Sequence, residues 1–154
     1  MKVVLDTSCI SAFILVHKVD LLLEILKKHE VVITPQVYNE LKVSKKPLLR
    51  EFNDSRIAVV QAASSIAEEY NLHIGEASVI IYAKQNNALA VIDDKKARKA
   101  AEKEGIQFIG TATLLKLAIE NGIVKLNEAE QLISDLTNAG KLYLSKEIRR
   151  WILS

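Results

Sequence analysis

Short apolar runs separated by helix-length segments leave this chain few folds to choose from. The runs lie at residues 2–5, 31–33, 57–60, 88–92 and 106–109. Most are β-branched and apolar without alternation, as strands buried on both faces are. Helical spacing fills the intervals. Ile10, Phe13 and Ile14 mark one helix, and Leu21, Leu22, Ile25 and Leu26 another that ends in Lys27-Lys28-His29. Thr34-Pro35 is an N-cap followed by proline at the first helical position, and that helix carries Val37, Glu40 and Leu41. Ser44 to Pro47 reads as a loop. Further helices are expected over 62–70, from Glu76 to Ala83, over 94–103 and from Thr111 to about Asn121. Strands alternating with helices of this length predict βαβ units and a parallel sheet.

The strands stop near Leu126. Asn127 with Glu130 forms a start like a capping box. Helices over about 128–138 and 145–153, joined at Ala139-Gly140, predict an αα-hairpin. The expected organisation is an α/β body over residues 1–125, with the hairpin of 126–154 packed on the same domain.

Composition narrows the function classes. A chain of 154 residues supports one sizeable core. Its net charge of +2 announces no global field for nucleic acid, so any such binding needs a local patch. The lone Cys9 excludes an internal disulfide and fits a reducing compartment. Three scattered histidines and one cysteine do not build a closed zinc site. A strand begins directly after Met1, no signal-peptide pattern precedes it, and no apolar run approaches the ~18 residues of a membrane span. A cytoplasmic protein is expected.

The chemistry lies in the acids. Asp6 closes the first apolar run, and Asp93-Asp94 the fourth. Glu40 and Glu76 lie in helices between them. Each has an ordinary role when taken singly: Asp6 and Asp94 as helix caps, Glu76 as a first-turn acid favoured by the helix dipole, Glu40 as a solvated helix residue. Together they change meaning. Ligands of open α/β sheets bind outside the carboxyl ends of the strands, where Asp6 and Asp93/Asp94 fall. Two unit charges ~5 Å apart cost on the order of 3 kcal/mol at an effective dielectric of ~20. Four acids in one crevice therefore call for a divalent cation, and Mg²⁺ or Mn²⁺ suits an oxygen-only set. Metal-assisted chemistry on a phosphate-containing substrate follows.

At this point the chain resembles the PIN domain family. The matching pieces are V-V-L-D-T-S at 3–8, I-T-P-Q-V-Y-N-E-L at 33–41, L-H-I-G-E-A-S-V-I at 72–80, V-I-D-D-K-K-A-R at 91–98 and G-I-Q-F-I-G-T at 105–111. The resemblance implies a three-layer α-β-α fold with strand order 3-2-1-4-5, so that Asp6 and Asp94 meet at the switch point. It implies a Mg²⁺- or Mn²⁺-dependent ribonuclease of prokaryotic type, often the toxin of a toxin–antitoxin pair. By position Asp6, Glu40, Glu76 and Asp94 match the family's acids, and Ser8 its small hydroxyl residue near the metal. Two departures stand out. Glu76 replaces the more usual aspartate, and Lys96 occupies a position often polar or acidic, which Asp93 would offset.

Other carboxylate-centred folds fit worse. A haloacid-dehalogenase-like phosphatase needs a second aspartate where Ser8 stands. A receiver domain needs an acid ending its third strand, and a dinucleotide fold needs glycines after the first.

Basic residues cluster at Lys42, Lys45, Lys46 and Arg50, and at Lys95, Lys96, Arg98 and Lys99. Usually such runs are solvated faces; here Arg98, Lys95 and Lys46 are candidates to track RNA phosphates. The expected activity is endoribonucleolytic hydrolysis, with a non-catalytic RNA- or protein-binding PIN module as the alternative. The hairpin either covers the core or serves a homodimer or antitoxin contact.

Overall fold

The computed structural model describes residues 1–61 and 70–154. The helix expected over 62–70 lies, apart from Tyr70, outside the described residues. The sheet has five strands: β1 (Lys2–Leu5), β2 (Glu30–Ile33), β3 (Ala58–Val59), β4 (Leu89–Val91) and β5 (Phe108–Ile109). All pairs are parallel and the order is β3-β2-β1-β4-β5. Val3 and Val4 pair with Val31 and Val32 on one side and with Leu89 and Ala90 on the other. These positions are buried, apart from half-buried Leu89, because strand 1 is central and covered on both faces.

Nine helices are described. They are α1 (Thr7–Leu15), α2 (Val19–Ile25), α3 (Pro35–Lys42), α4 (Pro47–Arg50), α5 (Ile74–Asn86), α6 (Lys95–Lys103), α7 (Thr111–Glu120), α8 (Leu126–Asn138) and α9 (Lys146–Leu153). Strand order reverses between β1 and β4. Right-handed crossovers therefore carry the connections to opposite faces of the sheet. Accordingly α1 packs with α2, α3 and α4, while α5 packs with α6. The strand–helix junctions are set by side-chain caps. The Asp6, Thr34 and Asp94 side chains accept the backbone N–H groups of Cys9, Val37 and Ala97. Each junction lies at the carboxyl end of a strand, so the caps cluster at one rim of the sheet.

Several boundaries differ from expectation. β5 starts two residues late, because Ile106 N–H bonds to Ala101 O and closes α6 instead. Strand β3 is only two residues long and exposed, a blunted sheet edge. The segment after Lys46 forms the single turn α4, opened by Pro47. α8 starts at Leu126 with Lys125 at its cap position, ahead of the Asn127–Glu130 box. Ile123 and Val124 both donate to Ala118 O, which ends α7 and turns the chain so that a helix can follow at once.

α8 packs on α1, and α9 on α7 and α8. Leu132, Ile133, Leu136 and Ile152 are buried there. At Gly140 a Cβ would stand 2.5 Å from Leu136 O and 3.1 Å from Ala12 O, so only glycine lets the turn approach α1. No helix of the described residues is long and apolar enough to cross a membrane.

Candidate active site

A cleft of about 430 Å³ opens at the carboxyl rim of the sheet, lined by Asp6, Thr7, Ser8, Glu40, His73, Glu76 and Asp94. The four acids singled out in the sequence and Ser8 thus share one cavity. They reach it from four places: the β1–α1 junction, the last turn of α3, the first turn of α5 and the β4–α6 junction.

Asp6 is the most enclosed, at 4% exposure. Its Oδ1 accepts from Cys9 N–H at 2.9 Å and Ser8 Oγ at 3.1 Å. Its Oδ2 accepts from Asp93 N–H at 3.1 Å. Burial, with the charge of Asp93 next, pushes its pKa up to about 7 despite those donors. Glu76 is also pushed up to about 7, first by burial and then by the charge of Asp94, with Glu40 adding to it. His73 pulls the other way. In both carboxyls, burial is the larger cause and the neighbouring negative charges the second.

Glu40 is fixed from two sides. Thr7 Oγ1 donates to its Oε2 at 2.6 Å. Its carboxylate also lies against Gly75, where an added Cβ would stand 2.0 Å from Oε1. Gly75 is thus the space that Glu40 occupies at the start of α5. Below it the Thr34 and Ser78 hydroxyls, 2.7 Å apart and fully buried, tie α3 to α5.

Asp93 is placed differently. Its Oδ1 accepts from Thr111 N–H at 2.8 Å, and its Oδ2 from Thr111 Oγ1 at 2.7 Å and Ser8 Oγ at 3.2 Å. It does not line the cleft. It braces the start of α7 against the β1–α1 turn, beside Asp6.

The basic candidates stand further back. Arg98 donates from Nε to Ile92 O at 2.9 Å, and its guanidinium lies 5.8 Å from the Phe108 ring centre and against Gly110. Lys95 and Lys96 are exposed in the first turn of α6, next to Asp94. Lys46 is exposed at the start of α4 and outside the cleft lining. Lys42 is engaged with the carbonyls of Phe52 and Arg50 and stands 5.0 Å from the Tyr38 ring centre. Tyr82 is core, and Trp151 packs under Lys116 at the far end of the chain.

Thr7, His73, Gly75 and Thr111 were not singled out in the sequence. Thr7 and Gly75 are adjacent to Asp6 and Glu76, which is a signal of a kind. His73 and Thr111 lie within the matching pieces at 72–80 and 105–111, but their contacts depend on which junctions meet.

A family model described as DUF3368: PIN domain matches residues 2–154. The chain belongs to the PIN domain family. The match runs through the C-terminal hairpin, and the parallel sheet in the order 3-2-1-4-5 agrees with it. None of the curated proteins compared matches the chain. PIN domains are generally nucleases that use divalent metals, which puts this chain coarsely among hydrolases of nucleic acids. Among the described residues, no three His, Cys, Asp or Glu side chains stand together as a ready-made metal site. The cleft's donors among the described residues nevertheless suit a hard cation: four carboxylates and two hydroxyls, with the His73 imidazole beside them.

Proposed function

We propose that this PIN domain is a metal-dependent endoribonuclease that hydrolyses RNA phosphodiester bonds. The observation that carries this reading is the convergence of Asp6, Glu40, Glu76 and Asp94 on one cleft, with two of them pushed up to about 7. These four would hold Mg²⁺ or Mn²⁺. When bound, the cation supplies Lewis-acid polarisation of the phosphodiester.

The chain's own groups set the geometry around it. Thr7 and Gly75 hold the Glu40 carboxylate, and Ser8 links Asp6 to Asp93. Lys95, Lys46 and the terminal nitrogens of Arg98 supply positive charge for flanking RNA phosphates. Water is the nucleophile in this reading: the Thr7 and Ser8 hydroxyls of the cleft are engaged with Glu40 and with Asp6 and Asp93, and neither has a base to activate it among the described residues. Cys9 is fully buried, and burial with the nearby charges of Asp93 and Asp6 pushes its thiol pKa up, away from thiolate.

The test is single-stranded RNA cleavage in Mn²⁺ by the wild type, Asp6→Asn and Asp94→Asn. Cleavage should need the metal and fall by on the order of 10²-fold or more in either variant. Undiminished cleavage by folded, nuclease-free preparations would sink the assignment. A toxin role, with a cytoplasmic antitoxin partner or a homodimer, belongs to the same reading. Its check is growth arrest on expression, relieved by a neighbouring small gene for a DNA-binding protein.

A second reading, a binding module without cleavage, is favoured by the lack of a ready-made three-ligand cluster among the described residues and by Lys96 beside Asp94. Manganese titration separates the two. A nuclease should melt higher with Mn²⁺, by ~2.7 kcal/mol of stabilisation at a hundredfold excess over Kd. A module should not respond.

A further inference from the structure

The end of the chain is basic out of proportion to the rest. Residues 141–154 hold four Lys or Arg against one Glu, whereas the whole sequence holds 21 Lys or Arg against 19 Asp or Glu. Lys141, Lys146 and Arg150 are exposed, and Arg149 is half-buried. None of the four makes an ion pair with a described residue. Two aromatic side chains stand among them. Tyr143 is 84% exposed, between Leu142 and Leu144, which are buried. Trp151 is 45% exposed, with the Lys116 ammonium 5.1 Å from its ring centre. Ile148, exposed three residues before Trp151, shares its face of α9. Lys116 also links this patch to the acidic cleft. It lies on α7, whose first residue, Thr111, bonds Asp93 beside Asp6. The helix from Thr111 to Lys116 rises ~7.5 Å.

The mixture of groups selects the partner. A membrane surface needs a free apolar helix face, but α9 turns its own toward α7 and α8, where Ile152 is fully buried. A second copy of the same patch would bring like charge against like. A protein interface gathers apolar groups in a core depleted of charge, and here cations interrupt the apolar groups. Aromatic rings interleaved with Lys and Arg suit a single strand of nucleic acid, with cations for its phosphates and π faces for its bases.

We propose that the C-terminal hairpin carries a second RNA-binding surface, in which Lys141, Lys146, Arg149 and Arg150 hold phosphates of a single strand while Tyr143 and Trp151 contact its bases. The choice of RNA rests on the nuclease reading, but the surface uses no residue of the acidic cleft. It holds the strand away from the scissile bond. It therefore adds affinity without touching the reacting phosphate, and it binds in the absence of metal.

Trp151 is the chain's one tryptophan, so its fluorescence reports on this surface alone. The experiment titrates the whole protein with a single-stranded oligouridylate of about 12 nucleotides. EDTA is present, so no metal-dependent cleavage intervenes. Fluorescence should be quenched saturably, and four phosphate contacts predict an affinity loss of about 50-fold between about 50 and 200 mM salt. Lys146→Glu combined with Arg150→Glu should weaken binding at least about tenfold at the lower salt and flatten the salt dependence. Tyr143→Ala should weaken it at least about fivefold, the scale of one lost stacking contact. All three residues are exposed, so these variants keep the core intact. The surface is overturned by a lack of saturable quenching at about 50 mM salt, or by unchanged affinity in either variant. Polyglutamate binding as tightly as the oligouridylate would also overturn it, in favour of an acidic protein partner. Saturable quenching in a protein that never cleaves RNA removes the nuclease reading and leaves the surface standing. Cleavage in Mn²⁺ by a protein whose Trp151 is never quenched does the reverse.

Discussion

Asp94 accepts the N–H of Ala97 through Oδ2 at 3.0 Å and lines the acidic cleft as well. Capping a helix and lining the cleft are not alternatives here, because a carboxylate has two oxygens and several lone pairs. Asp6 combines the same roles, with both oxygens already engaged by backbone N–H groups. The combination makes the substituting residue matter. Asp94→Asn keeps a capping oxygen and should melt close to the wild type. Asp94→Ala loses the cap and should cost ~1 kcal/mol, a small drop in Tm in thermal melts. Glu76 gives a pH prediction. In the fold Asp6 and Glu76 hold their protons to about 7, whereas their ordinary values are 3.8 and 4.5. The folded state therefore binds more protons than the unfolded chain across that interval, and stability falls as pH rises through it. Asp54 and Glu104, held low by Arg56 and Lys84, act in the opposite sense at the acid end, losing their contribution as pH falls. Metal-free protein should melt lower at about pH 7 than at about pH 5, and Glu76→Gln should flatten the slope. A wild-type profile level across that range would reject the raised values that burial and, second, the neighbouring charges give these two groups.

At the scale of elements, the site is a meeting of junctions. α3 brings Glu40, α5 brings Gly75 and Glu76, and α1 brings Asp6 and Thr7. The α3–α5 contact sets how far Glu40 reaches. Gly75→Ala tests this, because the atom displaced is the end of a flexible side chain rather than backbone. The variant should keep a near-native melting curve and lose cleavage by on the order of 10²-fold, as misplacement of a reacting group by ~1 Å does. A variant equally active would show that Glu40 is dispensable. Element types were legible in the sequence where apolar period and caps agreed, as at Thr34-Pro35 and at Asp94. They were less so where a tertiary bond took precedence. Ile106 reads as strand, but its N–H goes to Ala101 O. Asn127 reads as near a cap, but the turn at Ile123 and Val124 starts α8 earlier.

For the whole molecule, the hairpin's packing on α1 and α7 predicts that the α/β body needs it. Leu132, Ile133, Leu136 and Ile152 bury ~1.5–3 kcal/mol each, together comparable with a domain's net stability of ~5–15 kcal/mol. Truncation after residue 125 should yield aggregated or unfolded protein by light scattering and circular dichroism. A soluble, cooperatively melting fragment would show the hairpin to be an accessory surface. The family match extends over both, from residue 2 to residue 154. By itself the sequence determined the alternation of strands and helices, the acids at their junctions and the family they resemble. Those features are local, because period, caps and the spacing of motifs are written along the chain. Only the tertiary structure decided that Asp93 braces Thr111 while Asp94 faces the cleft, that Gly75 makes room for Glu40, and that His73 lines the cleft beside the acids. Those outcomes depend on packing between segments far apart in sequence, where a neighbour's backbone settles which way a side chain can turn.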